Sequence, residues 1–120
     1  MTEIPESAKP AIDMLKGVGG DDMVAMLMRT FLSFGDERLA KLSEEAGHQR
    51  WEEVASIAHA IKSSARQLGA IALSDACAAT EAAGRGGDHA KAAAGVEAIR
   101  AEFASARGWM QELAAKGSSS

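Results

Sequence analysis

The chain has little of what builds strands, disulfides or membrane spans. Its 120 residues include one cysteine, two prolines, three phenylalanines, two tryptophans and no tyrosine. A lone Cys77 cannot form an internal disulfide, and its alanine-rich setting predicts a buried small residue rather than a nucleophile. No apolar run approaches the roughly 20 residues of a membrane-spanning helix, and no signal peptide opens the sequence. We therefore expect a cytoplasmic protein with little or no β-structure.

Several classes of functional site also lack their sequence signals. The net charge of −4 and the pI of about 5.3 argue against nucleic acid as the main partner. There is no Gly-x-Ser-x-Gly elbow, and no glycine-rich phosphate loop follows a strand, so neither a hydrolytic triad nor an ATP site is indicated. His48 and His89 have no cysteine or carboxylate pattern around them. We therefore expect no metal site.

Helical periodicity is what the sequence does contain. The apolar spacing predicts helices over residues 3–16, from Asp21 or Asp22 to 46, over 49–68 and 71–83, and from an N-cap at Asp88 through 113. Glycines at 17–20, at 69 and at 84–87 are predicted to separate them. This pattern predicts an all-α, antiparallel up-down-up-down four-helix bundle with a short additional N-terminal helix. A single domain over 1–116 with its core at 21–114, and a disordered tail at 117–120, completes the prediction.

The apolar positions also predict which side chains face the core. The predicted inward positions are Val24, Leu27, Phe31, Phe34 and Leu42; Val54, Ala58, Ile61, Ala65 and Leu68; Leu73, Thr80 and either Ala76 or Cys77; and Ala92, Val96, Ile99, Phe103, Ala106, Met110 and Leu113. Arg38 falls within the first of these arcs, so either its aliphatic stem extends outward to solvent or the apolar face widens near it. Met28, Leu32 and Leu39 form a second apolar flank, which either the N-terminal helix covers or a partner occupies.

His59 is the residue most suited to chemistry. Lys62 follows it by one helical turn, and the residues around both are small. An imidazole with no bulky neighbour and a cation at i+3 can carry a phosphoryl group. Spacing alone also permits an ordinary surface histidine on an alanine-rich helix.

The run from 59 to 70 resembles the signature of histidine-containing phosphotransfer (HPt) domains, the shuttle modules of bacterial multistep phosphorelays. The residues that fit this signature in register are His59, Lys62, Ser64, Ala65, Leu68, Gly69 and Ala70. The likeness covers roughly residues 22–113 and includes Trp51 and the Gly-Gly-Asp loop at 86–88. Two positions depart from the family: Ser63 stands where glycine is usual, and Gln49-Arg50 where a Gly-Asp capping pair is common.

The resemblance implies that His59 accepts a phosphoryl group from a receiver-domain aspartate and passes it to another. The chain would then be a carrier without turnover of its own, and Mg²⁺ would be needed only in the partner receiver. Lys62 and Arg66 would offset the phosphoryl charge, although Arg66 could equally be a solvated surface charge. Glu81, on the neighbouring helix, would orient the imidazole through Nδ1, or else be a solvated carboxylate.

The resemblance also implies a docking surface around the histidine. Ala55, Ser56 and Ser63 would leave room for close approach, and Met28 and Leu32 would contact the partner. The expected partners are response-regulator receiver domains, with a hybrid histidine kinase as a further candidate, and we expect a monomer. Two alternatives stay open: an adaptor that docks receivers without transferring phosphate, and a structural dimerisation module that uses the 92–113 seam.

Overall fold

The computed structural model describes residues 3–117, which form a 3-10 turn at Glu6–Ala8 followed by four α-helices. The helices are α1 (Lys9–Gly47), α2 (Trp51–Gln67), α3 (Ile71–Gly86) and α4 (His89–Gly117). Residues 3–117 contain no strand. The predicted all-α fold is therefore confirmed.

The four helices form a closed bundle. Each helix packs against its neighbour in the chain, α4 packs back against α1, and the diagonal pair α2 and α4 barely meet. The connections at residues 48–50, 68–70 and 87–88 are short, which makes successive helices antiparallel. The up-down-up-down order is thus confirmed, in a body of 47 × 24 × 22 Å.

A single apolar cluster, extending in sequence from Ala8 to Ala114, fills the bundle. All five predicted inward positions associated with α2 and all seven of α4 are buried. In α1, Leu27 and Phe34 are only partly buried. Of the two alternatives in α3, Cys77 is buried and Ala76 is only partly buried. Trp109 of α4 is also buried in the core, although it was not predicted to be. Apolar periodicity therefore identified most of the core.

The glycine-rich stretches break the helices less than their composition predicts. α1 consists of two helical parts that meet at a kink at Gly20, the one residue of 17–20 outside the helical conformation, with φ 74°. The part before the kink corresponds to the predicted short N-terminal helix. α3 runs on to Gly86, and Gly87 alone forms the left-handed C-cap, with φ 80°. The predicted loop at 84–86 is therefore wrong. Gly84 is helical and buried, and glycine is suited to this position because a side chain there would collide with α2.

The ends of the helices match the predicted caps at one place and differ at another. Asp88 caps α4 as predicted, since its Oδ1 accepts a hydrogen bond from the backbone N–H of Lys91 at 3.1 Å. Asp21 and Asp22 directly follow the non-helical Gly20, so the helical part of α1 that continues to Gly47 begins where it was predicted to begin. α2 begins at Trp51, two residues later than predicted, because Gln49 has φ 58° and cannot be helical.

The segment before Gly20 packs against the bundle through Ala8 and Ile12, which are both buried. A Cβ on Gly69 would lie 2.8 Å from Cα of Ala8, so the segment covers the end of the bundle where α2 connects to α3. Gly117 ends α4 although the tail was predicted to begin there, and the rest of the predicted tail, 118–120, lies outside the described residues. Within residues 3–117 no helix is both long and apolar enough to cross a membrane.

Candidate functional site

His59 lies on the outer face of α2, beside the seam with α3. The buried residues Ala58 and Ile61 fix the rotation of α2, and this rotation leaves 56% of the His59 side chain exposed. Ser56 and Ser63, one turn to either side, are exposed as well. The imidazole therefore has open space around it, as the sequence predicted.

Glu81 of α3 fixes the orientation of this imidazole. Nδ1 of His59 lies 3.0 Å from Oε2 and 3.2 Å from Oε1 of Glu81. An ionised carboxylate only accepts hydrogen bonds, so Nδ1 carries the proton and donates it. No residue of 3–117 is hydrogen-bonded to Nε2. The nitrogen farther from the backbone is consequently the unprotonated, nucleophilic one.

Two cations hold the same carboxylate. Lys62 Nζ lies 2.7 Å from Oε1 of Glu81, while Arg85 Nε lies 3.4 Å from Oε2. Arg85 also reaches back to α2, where its Nη1 lies 3.5 Å from Oε2 of Glu52. The charges thus alternate in sign across the seam between the two helices. Arg85 and Glu52 were missed by the sequence analysis, although the i,i+4 spacing of Glu81 and Arg85 was a usable signal.

These contacts keep Glu81 ionised. The hydrogen bond from Lys62 is the largest cause, and the hydrogen bond from His59 and the charge of Lys62 add to it, so that the pKa of Glu81 falls to about 2 from 4.5 in spite of partial burial. Its side chain is only 16% exposed. Glu81 therefore provides a fixed negative charge against Nδ1 at any physiological pH.

Cys77 lies below this cluster in the core. Burial raises the pKa of its thiol to about 12, and the thiol stays protonated. The prediction that Cys77 is a buried small residue is confirmed.

Two predicted site residues are present on the surface but outside the Glu81 cluster. Arg66, two turns after His59, is exposed, and its guanidinium makes no hydrogen bond or ion pair with any described residue. The Ser63 hydroxyl lies 3.5 Å from the backbone carbonyl oxygen of His59 and donates to it, so it is directed at the helix backbone. The structure therefore brings together His59, Lys62 and Glu81 and leaves Arg66 apart.

Three residues predicted for the outer surface are buried instead. Met28 is 0% exposed and Leu32 8%, because α1 packs against both α2 and α4 and both flanks of its apolar arc are covered. Ala55 is also buried, since its Cβ faces Gly84 of α3. The expectation that Met28 and Leu32 contact a partner directly is wrong, and Ala55, predicted to leave room for a partner's approach, lies in the seam with α3 instead.

A shallow apolar groove between α1 and α2 is open to solvent. Its lining consists of Leu27, Thr30, Phe31, Phe34, Ser64, Gln67 and Leu68. Arg38 extends from beside this groove with its guanidinium carbon 5.1 Å from the centre of the Phe34 ring, which confirms the first of its two predicted alternatives, an outward course of its side chain.

The arrangement can support one kind of chemistry. Within residues 3–117 no three histidine, cysteine or acidic side chains converge in a way that could hold a metal ion. What the site offers is an exposed imidazole with one nitrogen fixed by a carboxylate and the other open to solvent. Such a nitrogen can accept an electrophilic group and release it again.

A four-helix bundle that displays one oriented, solvent-facing histidine defines a class of carrier modules. The family model described as "Hpt domain" matches residues 26–109, more than half of the sequence, and the chain therefore belongs to the Hpt domain family. The family has a phosphotransfer role in two-component signalling, and its members interact with receiver domains and kinases in phosphorelays. Comparisons with curated proteins and with solved structures gave no match.

Proposed function

We propose that the chain is a phosphorelay intermediate that accepts a phosphoryl group on Nε2 of His59 from a receiver aspartate and passes it to another receiver aspartate. The observation that carries this proposal is that the two nitrogens of the imidazole have different surroundings. Nδ1–H donates to Glu81, while Nε2 lacks a partner within residues 3–117 and faces solvent on a chain of the Hpt family.

The transfer step follows from this geometry. Nε2 attacks the phosphorus of an aspartyl phosphate, an N–P bond forms, and the P–O bond breaks with its electron pair left on the receiver carboxylate. No proton has to leave, because Nδ1–H stays on Glu81. The ring gains positive charge during the step, and the fixed carboxylate offsets it. The reverse step delivers the phosphoryl group to the next receiver.

The surrounding side chains have supporting roles in this proposal. Lys62 can turn about its flexible stem from Glu81 toward a phosphoryl group on Nε2, and Arg66 supplies a second cation on the same helix. Ser56 and Ser63 are small enough for a receiver to approach closely. Mg²⁺ and the groups that catalyse transfer belong to the receiver, and the chain itself has no turnover.

The groove between α1 and α2 is the surface we assign to the receiver in place of Met28 and Leu32. Its apolar walls include the partly exposed Leu27 and Phe34, and its α2 wall begins at Ser64, in the turn that follows His59. A receiver that brings its aspartate to Nε2 would lie over this groove, with an apolar helix face against it.

The proposal also covers the oligomeric state of the chain and the compartment in which it acts. The seam of α4 over 92–113 is buried inside the bundle, so it is not available to a second copy of the chain. This favours a monomeric carrier over a dimerisation module. We propose that it acts in the cytoplasm, where receiver domains and kinases transfer phosphate.

Incubation with a phosphorylated receiver tests the proposal. The wild-type chain should acquire acid-labile, base-stable phosphate, His59→Gln should acquire none, and the exposed-histidine control His48→Gln should match wild type. Label on His59→Gln would remove the proposed site. Should wild type bind receivers but acquire no label from any, the chain is the non-transferring adaptor.

A second arm of this assay addresses docking. Leu27→Ser should slow labelling at low receiver concentration by about threefold to tenfold, because it removes apolar area from the groove, and should leave the rate at saturation unchanged. An unchanged rate at both concentrations would exclude the groove.

A further inference from the structure

Arg85 is the one cation of the histidine site that the proposed transfer does not yet use. It lies on α3, half-exposed, one turn after Glu81. Its guanidinium contacts two carboxylates at once, those of Glu81 and Glu52, which lie on different helices. A planar group with several fixed donors can make both contacts together, whereas a lysine ammonium at the end of a flexible chain is poorly suited to do so.

The two oxygens of Glu81 are divided between its cations. Lys62 contacts Oε1, whereas Arg85 contacts Oε2, the oxygen that also accepts the shorter hydrogen bond from Nδ1 of His59. The loss of Lys62 from Oε1 would therefore leave the pair of contacts on Oε2 in place.

Phosphorylation makes this division important. A phosphoryl group on Nε2 lies on the edge of the ring away from Glu81 and carries up to two negative charges. Lys62, one helical turn after His59, can neutralise this charge only by turning away from Oε1 of Glu81. Glu81 then loses its strongest partner at the moment when the ring most needs a fixed carboxylate.

We propose that Arg85 is a positioning residue that holds the Glu81 carboxylate on Nδ1 of His59 while Lys62 serves the phosphoryl group. Glu52 anchors Arg85 from α2, so the hold does not depend on Lys62. The proposal deepens the phosphorelay function and rests on it. Arg85 touches neither the phosphoryl group nor Nε2 and acts only through Glu81.

A double-mutant cycle on Lys62 and Arg85 tests the hold without any phosphate donor. The readout is the pair of ring nitrogen chemical shifts of His59, which report the nitrogen that bears the proton. Lys62→Ala imitates the departure of Lys62, and it should keep most of the Nδ1–H form because Arg85 remains. The double variant should become a mixture of the two tautomers, and the change should exceed the sum of the single changes.

Phosphoryl transfer supplies the second readout. Arg85→Ala should accept the phosphoryl group about threefold to tenfold more slowly than wild type, in line with the loss of one half-exposed ion pair. Arg85→Lys should recover part of the rate because it restores the charge without the double contact. Arg100→Ala, which removes an arginine bonded to Ser43 on the opposite seam, should match wild type.

The outcomes separate the two proposals. A double variant with the same tautomer as Lys62→Ala alone overturns the role of Arg85, as does an equal loss of rate in Arg100→Ala. If the double variant loses helicity, Lys62→Ala combined with Arg85→Lys replaces it and should give an intermediate tautomer mixture. If wild type accepts no phosphate while the cycle is non-additive, the phosphorelay function fails and the hold by Arg85 stands.

Discussion

The seam between α2 and α3 is packed with small groups, whereas the seam between α1 and α4 is packed with large ones. On the first seam, a Cβ on Gly84 would lie 2.8 Å from the carbonyl oxygen of Trp51 and 3.2 Å from Cβ of Ala55. On the second, the rings of Phe31 and Phe103 have their centres 5.8 Å apart. The first seam brings backbones close together at Gly84, and the second packs aromatic rings against each other.

The two seams also differ in the charged side chains at their solvent-exposed edges, which we call their rims. The rim of the α2–α3 seam carries the network in which Glu81 binds His59, Lys62 and Arg85. The rim of the α1–α4 seam carries the ion pair between Arg107 and Asp36, with the Arg107 guanidinium also over the Phe103 ring. The difference indicates that one seam positions the chemistry while the other supplies most of the stability, and three substitutions test this division.

Phe103→Ala should have the largest effect on stability. Phe103 is 2% exposed, and its loss should lower the free energy of unfolding by about 3–5 kcal/mol through lost burial and a cavity. Denaturant titration measures the loss, and a phosphorylation assay on the folded fraction should give the wild-type rate. Phe103→Leu should lower the free energy of unfolding clearly less than Phe103→Ala does. A reduced rate in the folded fraction would show that the two seams are not separate.

Gly84→Ala should have an intermediate effect on stability and a direct effect on the site. The added Cβ meets a backbone oxygen that cannot move aside, so α3 must shift away from α2 at a cost of about 1–3 kcal/mol. The shift increases the distance between the Glu81 carboxylate and Nδ1 of His59 and should therefore slow phosphoryl acceptance.

The matched control is Gly86→Ala in the same helix, where an added Cβ meets nothing within 4 Å. It should be neutral or slightly stabilising by its helix propensity. Equal destabilisation by both substitutions would mean that the close approach at Gly84 is unimportant.

Glu81→Gln should have the smallest effect on stability, and that effect should depend on pH. The pKa of Glu81 is depressed to about 2 from 4.5, so its contribution is complete above about pH 4.5 and is lost as the pH falls toward 2. The stability gap between wild type and Glu81→Gln should therefore narrow over this range in denaturant titrations.

Glu53→Gln provides the comparison for this pH series. Glu53 is an exposed glutamate of α2 that forms no ion pair with the residues described. The difference in stability between wild type and Glu53→Gln should stay near zero throughout. A Glu81→Gln gap that does not change between pH 5 and pH 2 would contradict the ionised state of Glu81.

The sequence predicted the helices and their inward faces because burial repeats with the period of the helix. Val54, Ala58 and Ile61 are an example, and all three are 0% exposed. The exposure of His59 follows from the same geometry, because His59 lies outside the buried arc of α2. Glu81 was assigned through the family resemblance, and the structure places it against Nδ1.

What the sequence could not predict depends on how helices meet. Periodicity marks Met28 as apolar but does not say that α2 and α4 both cover its flank of α1. The pairing of Arg85 with Glu52 joins two helices whose mutual rotation no local pattern records. Gly84 was predicted as a loop residue from composition, whereas the close contact of α3 with α2 explains why a glycine stands in this helix.

The contact between His59 and Glu81 also bears on the order of folding. It joins residues 22 apart in the chain, on two helices linked by residues 68–70, whereas the pair of Asp36 and Arg107 joins residues 71 apart. Short loops close at a smaller entropic cost than long ones. We therefore expect the α2–α3 hairpin to form early, so that the imidazole meets its carboxylate before the chain termini come together.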